Sequence, residues 1–67
     1  MRFKLAISKN GHSGIWDSRT GVFYPFGLNV VINQLKEANA DAGNFLDVGF
    51  EGWTEKTIKF CTNENTI

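Results

Sequence analysis

Hydrophobic residues recur along this chain with two different periods. Residues 2–8 alternate, with Phe3, Leu5 and Ile7 to one side and Arg2, Lys4 and Ala6 to the other, as a strand with one buried face does. Asn10-Gly11 follows, a pair that favours a two-residue type I′ turn because both turn residues must take positive φ. With those two as the loop, Lys9 pairs with His12, Leu5 with Trp16, Ala6 with Ile15 and Lys4 with Asp17. That register sets an aliphatic side chain beside an indole and a lysine beside an aspartate, both favourable cross-strand pairs. Arg19-Thr20-Gly21 fits a three-residue loop whose glycine is left-handed, so Ser18 opposes Val22, Asp17 opposes Phe23 and Trp16 opposes Tyr24. Pro25 lacks a backbone donor and ends the third strand or places it at an edge. One face of this meander then collects Phe3, Leu5, Ile7, Trp16, Val22, Tyr24 and Phe26. The other carries Lys4, Ala6, Ile15, Asp17 and Phe23, where Ile15 and Phe23 stay uncovered unless the C-terminal part reaches them.

From residue 27 the period changes. At about 100° per residue, Leu28, Val31, Ile32, Leu35 and Ala38 share one arc, while Asn33, Glu37 and Ala40 point away. The pattern predicts an amphipathic helix within residues 27–43, its stripe docked on the meander. Gly43 suits the left-handed position just past a helix end. Val30 falls on the polar face, and Asn39 falls within the apolar arc as a polar residue at a fraying end. Residues 45–50 then read as a fourth strand with Leu46, Val48 and Phe50 on one side. Residues 57–61 read as a fifth, with Ile58 and Phe60 inward, and residues 62–67 as a polar, frayed end. The predicted architecture is a single α+β domain over residues 1–67, one helix across a small antiparallel sheet in the order β-β-β-α-β-β.

Composition narrows what such a domain can do. Sixty-seven residues form one domain with a small core and little room for a deep catalytic pocket. Cys61 is the single cysteine, which excludes an internal disulfide and fits a reducing compartment. One Cys and one His do not make a zinc site. No apolar run reaches the 18 or so residues that span a membrane, and no secretory leader is recognisable, so the expected location is the cytoplasm. With no staple of its own, the core must draw on the nine aromatic residues (six Phe, two Trp, one Tyr), or some of them meet a partner. Charge is balanced in total but not along the chain. Residues 1–26 carry Arg2, Lys4, Lys9 and Arg19 against Asp17 alone, whereas residues 27–67 carry three lysines against six acids.

The arrangements that carry chemistry are weak. Residues 39–50 resemble a calcium loop in composition only, since position 6 would be Asn44 and position 12 Phe50, where a glycine and a bidentate glutamate are required. His12 and Ser13 are adjacent, yet a nucleophile–base pair needs an orienting third group and an oxyanion site. The glycines form no phosphate-binding loop. No metal, cofactor or enzymatic activity is expected.

Two binding roles remain. The first is protein binding: Trp53 in the turn-like Glu51-Gly52-Trp53-Thr54 is a candidate anchor, because an exposed indole buries much area at little entropic cost. Asp47, Glu51 and Glu55 around it would steer a basic partner, and Ile15 and Phe23 on the uncovered sheet face would add contact area or hold a homodimer. Small size and the lack of catalytic groups suit a phage or mobile-element accessory protein that inhibits or adapts a host protein. The alternative is nucleic-acid binding by the three-stranded sheet, with Arg2, Lys4, Lys9 and Arg19 on phosphates and Phe23 stacking on bases. Seven cations offset by seven acids weigh against it, since each neutralised phosphate needs a cation.

Overall fold

The computed structural model of the protein describes residues 1–54 and 58–60. The α+β class is as expected, but the element order is not. Strands β1 (Phe3–Ser8), β2 (Ser13–Asp17) and β3 (Val22–Pro25) are followed by two helices, α1 (Val31–Ala40) and α2 (Ala42–Asp47), and then by the short strand β4 (Ile58–Phe60). The sheet is antiparallel in the order β3-β2-β1-β4. β4 lies within the stretch read as a fifth strand and joins the free side of β1, pairing Ala6 with Phe60 and Ser8 with Ile58. Thr57, Cys61 and the expected frayed end at 62–67 lie outside the described residues.

The middle strand is turned over relative to the sequence expectation. Leu5 pairs with Ile15 and Lys4 with Trp16, and on the other side Ile15 pairs with Tyr24 and Trp16 with Phe23. Each hairpin is displaced by one residue, and the two displacements cancel between β1 and β3. Phe3, Leu5 and Tyr24 therefore share the expected face, while Ile15 and Trp16 exchange sides, as a one-residue slip requires.

Both turns explain the slip. In the first, Gly11 alone has positive φ (88°), and Ser8 and His12 close the loop through Ser8 N–H to His12 C=O at 2.8 Å. A type I′ turn would need Asn10 left-handed as well. In the second, Asp17 folds back on its own loop, accepting from Arg19 N–H at 3.0 Å and from the Thr20 hydroxyl at 2.9 Å. That local carboxylate turn holds Ser18 in the loop, and Gly21 at φ 76° closes it. Close packing reinforces the result. A side chain at Gly14 would lie 2.7 Å from the Phe23 ring and would collide with the Tyr24 carbonyl, so β2 offers Phe23 a glycine to lie against.

On the inner face Phe3 and Ile15 pack with Val31, Leu35 and Ala38 of α1 and Phe45 of α2, and Leu5, Tyr24, Phe26, Ile32 and Phe50 close around them. The helical stripe is thus largely as read, with one correction. Leu28 is 78% exposed, because residues 27–30 form a turn in which Gly27 C=O accepts from Val30 and Val31 N–H. The helix begins at Val31, so Leu28 lies before it. Val30, expected on the polar side, is indeed exposed. Asn39 is not a frayed residue. Its amide accepts from Phe3 N–H at 3.2 Å and donates to Phe3 C=O at 3.1 Å, completing the end of β1 that β4 does not pair and tying α1 to the sheet.

The fourth strand expected over residues 45–50 is instead α2 and its exit. Asp41 ends α1 and caps α2, its side chain accepting from Asn44 N–H at 3.2 Å, as a good N-cap does. The chain leaves α2 through Gly49 at φ 79°, so Gly49 takes the left-handed position expected of Gly43, which lies inside α2. The helical turn drives Phe45 into the core and leaves Leu46 and Val48 exposed. Phe45 is the hub of an aromatic cluster, with ring centroids 5.3 Å from Phe3, 5.5 Å from Tyr24 and 5.0 Å from Phe50.

Candidate functional site

Beyond Gly49 the chain returns to the outer edge of β3. Trp53 pairs with Phe23 as a single antiparallel bridge, Phe23 N–H donating to Trp53 C=O at 2.7 Å and Trp53 N–H to Phe23 C=O at 2.9 Å. The approach depends on Gly52. A Cβ there would collide with the Val22 side chain and sit 3.0 Å from the Phe23 carbonyl and from the Tyr24 ring. Two backbone hydrogen bonds and a glycine thus fix the indole without consuming it. Its ring meets Phe23 edge-on at 5.4 Å and His12 at 6.0 Å, while Trp53 remains 39% exposed. The question of whether this tryptophan is core or surface has a double answer: its ring covers Phe23 and over a third of the residue is exposed.

The remaining residues expected at a protein interface divide. Glu51 is exposed beside Trp53, and Glu55 lies outside the described residues. Ile15 and Phe23 are both at 0% exposure. The turned-over middle strand puts Ile15 in the core beneath α1, and Phe23 lies against Gly14 under Trp53. Neither offers surface, which corrects the expectation that they form an uncovered apolar face.

The cations named for nucleic-acid contact do not converge on a stripe. Arg2 is committed to the fold, with Nε 2.9 Å and an Nη 3.0 Å from the two carboxylate oxygens of Asp17 and its guanidinium 4.9 Å from the Phe3 ring centroid. Burial pushes the Asp17 carboxyl up, but hydrogen bonds from Arg2, Arg19 N–H and Thr20, with the charge of Arg2, bring it below its ordinary value. The same hydrogen bond raises Arg2. Ser18 completes this end of the sheet, donating from N–H and hydroxyl to Arg2 C=O at 3.0 and 2.7 Å. Arg19 is exposed in the adjacent loop, Lys4 is half-buried within β1, and Lys9 is exposed in the opposite turn. At about 3.3 Å per strand residue, Lys9 stands roughly 23 Å along the sheet from Arg2.

His12 and Ser13 do not act on each other in this arrangement. The Ser13 hydroxyl donates to Phe26 C=O at 2.7 Å, and the His12 ring packs toward Trp53. Among the described residues no group of three or more His, Cys, Asp or Glu side chains is placed to hold a metal ion, and no helix is long and apolar enough to cross a membrane. Among the described residues, open depressions flank the core. One of about 530 Å³ has Ile7, His12, Phe26 and Leu28 in its wall. Another, of about 380 Å³, runs between α1 and the exit of α2.

The docking of Gly52 and Trp53 on β3 has no periodic signal, since it is a single bridge. A glycine directly before a tryptophan in an otherwise polar turn was the one available sign. No protein-family model matches this chain, and no curated protein and no solved structure resembles it significantly.

Proposed function

We propose that the protein is a small non-enzymatic module that binds another protein through Trp53, in the manner of an inhibitor or adaptor. The observation supporting this reading is the state of the indole. It is fixed by two backbone hydrogen bonds and a ring contact to a buried phenylalanine, yet over a third of its surface is exposed. An aromatic side chain held in place before binding loses little conformational entropy on association, which is what makes tryptophan an interface anchor. Exposed Asp47 and Glu51 on the approach to it favour a partner with basic groups at the rim.

The nucleic-acid reading is the weaker one. Its aromatic residue, Phe23, is fully buried, and its leading cation, Arg2, is paired with Asp17. Capture from cell lysate by the tagged chain, with and without nuclease, separates the two. A single protein recovered in both conditions, and lost with Trp53→Ala, is the expected result. Recovery that disappears with nuclease would overturn the proposal in favour of nucleic acid.

A further inference from the structure

The groove between the two helices has a composition that selects its occupant. Its floor is apolar: Phe45 is in the core, Phe50 is half-buried, and Val48 stands 54% exposed at the rim. Its polar wall carries Glu37 from α1, Asp41 between the helices and Asn44 from α2, and among the described residues no basic side chain lines it. Gln34 and Glu37 fall on one face of α1 by helical spacing, and Asp41 follows at the end of the helix. Lys36 projects about 100° round the helix from Glu37 and is not part of the lining. Residues 27–54 carry Lys36 against Glu37, Asp41, Asp47 and Glu51, so this stretch of chain is net acidic.

The volume, about 380 Å³, lies at the small end of the roughly 300–1,000 Å³ typical of ligand pockets. It suits one or two apolar side chains better than a free small molecule. We infer that this groove receives a basic segment of a protein partner, an apolar side chain seating on Phe45, Val48 and Phe50 while neighbouring Lys or Arg side chains face Glu37 and Asp41. The inference rests on the protein-binding reading above and adds to it a second contact, on the helix layer, with a stated partner chemistry. Acidic side chains beside an apolar floor with Val48 exposed at its rim repel acidic segments and steer basic ones, so the site is selective by charge and anchored by burial.

The test is a titration of the isotope-labelled 67-residue chain, followed by amide chemical shifts, with a synthetic amphipathic Lys/Leu peptide. The same peptide with glutamate in place of lysine serves as control. The expected result is movement of the Gln34, Glu37, Asn44 and Val48 resonances by the lysine peptide alone. Affinity should fall about tenfold in Glu37→Lys, a charge reversal at an exposed rim, and severalfold in Val48→Ser. Both positions are exposed, so both variants should keep the wild-type circular dichroism spectrum, and Trp53→Ala should leave the titration unchanged. Equal binding of the glutamate peptide, shifts confined to the Trp53 edge, or no shifts at all would overturn the inference. So would the same shifts appearing on concentrating the chain alone, which would assign the groove to a second copy. A cellular partner captured equally by wild type and Glu37→Lys would remove the groove while leaving the Trp53 reading intact. An intact titration with no protein captured from lysate would do the reverse.

Discussion

Asp17 shows how much one side chain can decide in a chain this small. It is fully buried, and its two carboxylate oxygens take hydrogen bonds from Arg2, Arg19 N–H and Thr20. It thereby sets the β2–β3 loop and the fate of Arg2. Replacing it by Asn keeps the shape but removes the charge that holds the guanidinium. The expected loss is about 1–3 kcal/mol, the cost of leaving buried hydrogen-bonding groups badly served, measured by urea denaturation. Because the folded-state carboxyl lies below its ordinary value of 3.8, its contribution is complete above that value and is lost as pH falls through the lower folded one. The wild type should therefore lose thermal stability in strong acid more steeply than Asp17→Asn, and parallel profiles would contradict this. Asn39 makes a comparable case. Asn39→Ala should cost about 1–3 kcal/mol despite alanine's better helix propensity, and hydrogen exchange at the Phe3 amide should accelerate.

At the scale of elements, what was legible in the sequence is what periodicity can carry. The alternation of Phe3, Leu5 and Ile7 and the helical spacing of Val31, Leu35 and Ala38 both located real elements. Three features were not legible, each for a physical reason. The orientation of β2 depends on whether Asn10 or only Gly11 goes left-handed, a difference of one residue that no hydrophobic pattern records. A six-residue helix such as α2 is too short for its period to separate from alternation, and its real mark was the Asp41 cap. Leu28 matched the helical arc but preceded the helix. The candidate site was legible in part. Trp53 stood out by composition, whereas Ile15 was assigned to a surface by the wrong register, and Phe23, on its expected face, is covered by Trp53. Packing of α1 is tested by Leu35→Ala, which should lose about 2–5 kcal/mol as a core truncation. A loss below about 0.5 kcal/mol, typical of surface positions, would show that α1 does not dock as described. Gly52→Ala should detach the Trp53 bridge, seen as faster exchange of the Phe23 amide and a shifted Trp53 indole resonance, with the α1–sheet core unchanged.

Across the whole molecule, charge and chemistry separate by layer. Residues 1–26, with β1 to β3, hold Arg2, Lys4, Lys9 and Arg19 against Asp17, and residues 27–54 hold four acids against Lys36. A basic partner would therefore be steered toward the helix layer and the Trp53 edge, with an association rate that falls as salt rises, since exposed charges are screened beyond about 8–10 Å. The proposed anchor, Trp53, docks on the outer edge of β3 by a single bridge to Phe23, which Gly52 permits. The most direct measurement is calorimetric binding of the captured partner protein to wild type and to Trp53→Ala, with Trp53→Phe as a check that the β3 edge still forms. A loss of at least about 2 kcal/mol on removing the indole, as expected of an interface hot spot, with partial recovery by phenylalanine, is the predicted result. An affinity unchanged to within about 0.5 kcal/mol would contradict the assignment of Trp53 as the anchor.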